Sequence, residues 1–225
     1  MRRAALALIV LAALISSPAL AQQLDYELSE SSQHFTLGLR VGAMFIIADE
    51  FKDIYGEEPL MAYGLSFGYK LVHHLEVIGE AGYANDRGTG VDPSGNKTGE
   101  DYRLHFAPAS LGLLYRFDFA HEQVVVPYIG AGGDGAFYYE ERIEGGDRTD
   151  GGVYGWHGVA GVQFLMDPLD RRAADNLEGD WGINDVYFVI EGRYAALDDF
   201  GKNQEQGKGN DLTHWFVSGG LMFQF

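Results

Sequence analysis

Eight successive runs of this chain place apolar residues at every second position, and that pattern leaves little choice of fold. In the first, Phe35, Leu37, Leu39, Val41, Ala43 and Phe45 share one face, while Thr36, Gly38, Arg40, Gly42 and Met44 share the other. In the second, Met61, Tyr63, Leu65, Phe67, Tyr69 and Leu71 alternate with Ala62, Gly64, Ser66, Gly68 and Lys70. The third sets Leu75, Val77, Ala81 and Tyr83 against Glu76, Glu80 and Gly82. A helix would bring apolar residues together every three or four positions, so these runs are strands.

Five more runs follow the same rule. The fourth spans Tyr102–Phe117, and its apolar parity changes from Leu104 and Phe106 to Leu111, Leu113, Tyr115 and Phe117; Pro108 sits at the change, which predicts a bulge there. The fifth sets Pro127, Ile129, Ala131 and Phe137 against Tyr128, Gly130, Gly132 and Asp134. The sixth sets Trp156, Ala160, Val162 and Phe164 against His157, Gly161 and Gln163. In the seventh, Val186, Phe188, Ile190 and Tyr194 oppose Glu191 and Arg193. In the eighth, Trp215, Val217, Leu221, Phe223 and Phe225 oppose His214, Ser218, Gly220 and Gln224. Short connections near Val72–His74 and Asp118–Gln123 alternate with long polar ones at Asp49–Pro59, Asn85–Asp101, Glu140–Gly151 and Asp198–Asp211. Short turns on one side and long loops on the other are the outer-membrane arrangement. The connection at Met166–Asn184 is long where a short turn belongs. There Asp167-Pro168 reads as an N-cap and first turn, Leu169, Ala173 and Leu177 are spaced by four, and Gly179 is a stop, so a short periplasmic helix is expected.

The start of the chain reads as a signal peptide. Arg2 and Arg3 precede an apolar run from Ala4 to Ile15, Ser16-Ser17-Pro18 breaks it, and Ala19 and Ala21 occupy the positions a signal peptidase reads. The expected organisation is a leader over 1–21, a short polar segment over 22–33 and a barrel over 34–225. Loss of the two leader arginines takes the formal charge from −17 to −19, an exterior that repels phosphate backbones and makes nucleic acid an unsuitable partner. With no cysteine there is no disulfide, thiol nucleophile or thiolate metal site. No later segment is apolar enough for a membrane helix, so any membrane crossing is by a closed barrel.

Composition of the polar face separates a membrane barrel from a soluble lipocalin-like one. A wetted outer face would be rich in Lys, Glu and Thr; here it is mostly Gly, Ala and Ser with single charges, as suits a crowded narrow interior. The apolar face carries Tyr63, Tyr69, Tyr102, Tyr115, Tyr139, Trp156 and Trp215 near strand ends, as interfacial girdles require. The expected fold is all-β: a closed eight-stranded antiparallel up-and-down transmembrane β-barrel, with the short periplasmic helix between strands 6 and 7. At this point the leader, the eight runs, the segment "PYIGAG" and the ending "LMFQF" resemble the small bacterial outer-membrane barrels related to OmpA, OmpX and OmpW, over essentially Phe35–Phe225. The resemblance implies a barrel domain alone, without the cell-wall-binding domain of OmpA. It also implies a C-terminal signal for the barrel-assembly machinery, onto which Phe225, Phe223, Leu221 and Val217 fit, with Gly219 a weak member.

Several residues could carry chemistry. Arg40, Lys70, Arg116 and Arg193 share the inward parity with Glu76, Glu80, Asp134 and Glu191, which predicts a paired interior network, because unpaired charges in a dry lumen are costly. A proton or ion path is the alternative use of the same groups. His157 and His214 fall on the inward parity with Ser218 near, a residue set that could serve acyl hydrolysis, as in barrels that deacylate lipid A, but no local motif supports it. The stretch "DPSGNKTGED" has oxygen ligands at alternate positions from Asp92 like a calcium loop, yet Gly95 lies two positions early and Arg103 stands where Glu belongs. No catalytic, cofactor or metal site is therefore expected. The functional expectation is a non-enzymatic barrel in contact with outer-membrane lipids and lipopolysaccharide, serving a structural or surface-interaction role through acidic loops. The alternative is a narrow OmpW-like transport barrel for small hydrophobic solutes, and the remote one is a lipid A-modifying enzyme.

Overall fold

The computed structural model describes residues 34–56, 58–91, 97–120, 123–146, 148–201 and 211–225. The leader with Ala19 and Ala21, the 22–33 segment and the calcium-like stretch at 92–96 lie outside the described residues. Eight strands form one closed antiparallel barrel in sequence order: β1 (Phe35–Ile46), β2 (Leu60–Val72), β3 (Leu75–Val91), β4 (Lys97–Arg116), β5 (Val125–Arg142), β6 (Arg148–Leu165), β7 (Asp185–Ala196) and β8 (His214–Gln224). β1 pairs with β8 from Thr36↔Gln224 to Ile46↔His214, which removes both sheet edges.

Side-chain parity follows the alternation. Many outward apolar residues stay open, such as Tyr115 at 38% exposure and Leu111 at 65%, while most of their inward neighbours are buried. That inversion of the usual burial rule is what a lipid solvent imposes. Along β4 the outward girdle residues His105 and Tyr115 are ten positions apart. Ten residues of strand span roughly 33 Å, which a tilt of about 40° reduces to roughly the 25 Å of an outer-membrane apolar band. Trp156, Tyr194 and Trp215 stack side by side in the upper girdle at ring separations of 5.9 and 5.0 Å. Tyr102 departs from the girdle expectation: it lies on the inward parity and its hydroxyl donates to Glu100 at 2.9 Å.

Two further expectations are corrected. There is no bulge at Pro108, since Ala81↔Ala109 and Ala84↔Phe106 keep one register. Leu104 and Phe106 face inward, 4% and 0% exposed, because the outer half of the lumen is itself apolar. Much of the expected long loops is strand: the β3–β4 hairpin stays paired to Val91↔Lys97, and β5–β6 to Glu141↔Arg148. The first outer connection holds a helix that the sequence pattern did not announce, α1 (Asp49–Tyr55), ended by Gly56 at φ 88, whose N–H donates to the Lys52 carbonyl.

The periplasmic helix is present as α2 (Arg171–Trp181), preceded by a separate 3-10 turn over Asp167–Leu169. Asp167 is no helix cap: its carboxylate accepts the Val186 N–H at 3.2 Å and so ties the connection to β7. The stop is Gly182 (φ 69), not Gly179, and its N–H donates to the Glu178 carbonyl at 3.0 Å.

Candidate functional site

The lumen has three layers, each set by inward positions of the strands. The middle layer is ionic. Arg40 (β1) contacts Glu80 (β3) and reaches Glu191 (β7) at 2.7 Å. Arg193 (β7) contacts Glu80 and reaches Asp134 (β5) at 2.5 Å. His157 Nδ1 lies 3.0 Å from Asp134. Hydroxyls complete the carboxylate shells, with Tyr128 donating to Glu191 at 2.6 Å, Ser218 to Glu191 at 3.3 Å and Ser110 to Glu80 at 3.2 Å. Every charge here has an opposite partner and extra hydrogen bonds, the condition under which buried ions are tolerated.

The periplasmic layer is separate. Arg116 and Glu76, with side chains 2% and 1% exposed, pair at 2.6 Å; Arg116 also donates to Gln163 at 3.1 Å, and Thr36 donates to Glu76. Gly68 makes room, because a Cβ there would collide with Glu76 Oε1 and Thr36 Oγ1. Lys70 donates to Gln224 at 2.7 Å and has no carboxylate in ion-pair contact among the described residues. The eight expected charges thus divide into two groups, with Lys70 beside the lower one.

The outer layer is apolar. Met44, Leu60, Ala62, Leu104, Phe106 and Leu197 fill it, and Phe51 of α1 closes it from outside. Phe51 stacks on Tyr55 at 4.7 Å, and the Tyr55 hydroxyl donates to Glu140 at 2.6 Å, so α1 rests on the rim as a lid.

Between the ionic and apolar layers the β3–β4 ladder is interrupted. Gly82, Tyr83, Ala107 and Pro108 have no partners in the β3–β4 ladder, although pairing resumes in the same register on both sides. Pro108 has no N–H to give β3, and its ring takes the space beside Gly82. A cavity of ≈ 60 Å³ lies at this gap. Its lining includes the inward groups Arg40, Glu80, Arg193 and His214, and the wall positions Tyr63 and Tyr83 border it. Pro108 sits three residues below His105, within the outer part of the apolar band.

The other expected groups are not brought together. Ser218 donates to Glu191, His157 bonds Asp134, and His214 Nδ1 meets the Leu212 carbonyl at 2.8 Å, so no Ser–His pair forms. Val217, Leu221, Phe223 and Phe225 share the outward parity of β8 and its end, with the Phe225 N–H donating to the Phe35 carbonyl.

Comparison with known proteins gives the membership. The family described as outer membrane protein beta-barrel domain matches residues 7–169, well over half of the chain. The chain belongs to this family. It is an outer-membrane protein, and its apolar band faces the lipids of that membrane. No curated protein matches the chain. Among solved structures it is similar to the outer membrane protein OprG from Pseudomonas aeruginosa, with 15% identity, TM-score 0.58, and 87% of this chain covering 97% of that one. A major outer membrane protein from Thermus thermophilus is similar at 11% identity and TM-score 0.53, over 87% of this chain and 100% of that one. Neisserial surface protein A gives 15% identity and TM-score 0.50, over 87% and 98%. At these identities the likeness is one of fold.

Sequence reasoning missed the neutral members of the site. Tyr128, Gln163, Gln224 and Thr36 all lie on the inward parity, and each bonds a charged side chain. Parity combined with a polar tip would have found them.

Proposed function

We propose that this outer-membrane barrel is a non-enzymatic conduit that passes small hydrophobic solutes sideways, from the apolar outer vestibule into the lipid through the opening at Pro108. The unpaired stretch of the β3–β4 ladder, with a cavity behind it, carries the reading. Below that opening the ionic layers fill the lumen of an eight-stranded barrel, so a straight aqueous path to the periplasm has no room. Displacement of α1 would admit solute to the vestibule.

A second reading rests on the acidic outer segments "ADEFKDIYGEE" and "EERIEGGDRTD", which suit a structural or surface-interaction role toward external partners. Lipopolysaccharide around the outer band, and the barrel-assembly machinery reading Val217, Leu221, Phe223 and Phe225, belong to either proposal.

The deciding experiment compares wild type with Pro108→Ala. Alanine restores an N–H with which β4 can close on β3. Uptake of a hydrophobic fluorescent solute by cells should fall in the variant at equal surface level, while planar-bilayer recordings of both proteins show no steady ion conductance. Unchanged uptake, or a large well-defined conductance in wild type, would overturn the conduit.

A further inference from the structure

His214 stands where the wall cavity meets the apolar vestibule, and it has one ring nitrogen to spare. It opens β8, between Ile46 of β1 and Ala195 of β7, and is 3% exposed. Its Nδ1 lies 2.8 Å from the Leu212 carbonyl oxygen. A backbone carbonyl can only accept, so Nδ1 carries the ring hydrogen. No carboxylate is in ion-pair contact with the ring among the described residues, and Phe106 meets it edge-on at 5.9 Å. A charged imidazolium without a carboxylate is unfavourable in such a setting. The neutral ring then presents Nε2 as a lone-pair acceptor, and no donor to it is found among the described residues.

The rest of the cavity fixes what such an acceptor can read. Arg40, Arg193, Glu80 and Asp134 line it, but each is engaged in the ionic layer. They offer a polar floor without net charge, on which an ionic head group would have to displace an existing partner. The cavity of ≈ 60 Å³ has room for a few atoms, given that one water needs about 10–15 Å³. It fits a head group, with the tail extending past the unpaired β3–β4 stretch at Tyr83 and Ala107 toward lipid.

We infer that the wall cavity is a binding site for uncharged amphiphiles bearing a single hydroxyl donor, with His214 Nε2 accepting that hydrogen. The inference deepens the conduit reading and rests on it, naming the substrate class that the opening selects.

The test uses the full mature barrel in lipid nanodiscs, labelled with ¹⁵N-histidine. Two probes of similar length are titrated, 1-octanol and octyl methyl ether; both partition into lipid, and only the alcohol can donate. The alcohol should move the His214 Nε2 resonance in a saturable manner and the ether should not. In His214→Phe the alcohol should bind about tenfold more weakly, the loss of one hydrogen bond, which is read from displacement of a fluorescent solute. An equal response to both probes would overturn the hydroxyl selection, and no response to either would show a cavity holding water only. Neither result needs the variant to fold, since both are read on wild type. The outcome separates from the conduit reading: saturable alcohol binding combined with Pro108→Ala uptake equal to wild type keeps the site and removes the lateral exit.

Discussion

Glu76→Gln should destabilise the barrel far more than Glu191→Gln, though both remove one buried carboxylate from the lumen. The difference lies in what each leaves behind. Arg116 has Glu76 as its carboxylate partner at 2.6 Å, and its remaining contacts are the Gln163 amide and the Met222 sulfur. Both ions of that pair are almost fully buried, at side-chain exposures of 2% and 1%. Neutralising Glu76 strands a buried cation, at about 3–5 kcal/mol. Arg40, by contrast, keeps Glu80 when Glu191 is neutralised, and the glutamine oxygen still accepts from Tyr128. That change costs about 1–3 kcal/mol, the range for a weakened buried hydrogen-bond group. The pair Glu76→Leu with Arg116→Met should recover most of the single-variant loss, because an apolar replacement removes both desolvation penalties. The assay is reversible unfolding in denaturant from lipid vesicles, followed by tryptophan fluorescence. A Glu76→Gln loss below about 1 kcal/mol, or a larger loss for Glu191→Gln, would refute the view that one lumen pair stands alone while the other ions share partners.

Deleting Phe225, or replacing it with Asp, should leave the protein in the periplasm, as seen by fractionation and by the absence of heat-modifiable gel mobility; normal surface levels would show that the outward row on β8 plays no part in assembly. Acid should loosen the turn after β4. Burial alone would raise the Asp118 carboxyl, but the His73 imidazole 3.5 Å away and the charges of Lys70 and Arg116 outweigh it and hold the group below the usual aspartate range. A carboxyl lowered in the folded state contributes stability above its unfolded pKa of about 3.9, and that stability is lost as pH falls through the folded value. The unfolding midpoint of wild type should therefore drop more steeply below about pH 4 than that of Asp118→Asn, and parallel curves would contradict this assignment.

The barrel was legible in the sequence because lipid and lumen impose one strict rule, a period of two. Arg40, Glu80, Asp134, Glu191 and Arg193 were legible as a network for the same reason, since all fall on the inward parity. Where parity carries no information, the reading failed. Leu104 and Phe106 are apolar and inward, so the pattern suggested a bulge at Pro108 where there is an unpaired ladder in constant register. α1 is only seven residues long, and it is held by Phe51 packing on the vestibule and the Tyr55–Glu140 bond, contacts that local sequence does not encode. The helix stop moved from Gly179 to Gly182 because the residue needed there is the one with positive φ, which spacing alone did not identify. Lys70 makes no ion pair among the described residues although Glu76 is its cross-strand partner, because Arg116 and Thr36 engage that carboxylate, and alternation does not show which of two inward cations takes it.

Reversible closure of the wall is the most direct measurement of the account. The flanking register places Tyr83 opposite Ala107, both facing lipid beside the gap. Cysteines at these two positions, in a chain with no native cysteine, can be oxidised to bridge β3 and β4 and then reduced again. Hydrophobic solute uptake should be low in the oxidised barrel and return to the wild-type level on reduction, with surface abundance and heat-modifiable mobility unchanged throughout. Equal uptake in both redox states, with the bridge verified by mass spectrometry, would contradict lateral passage through this wall.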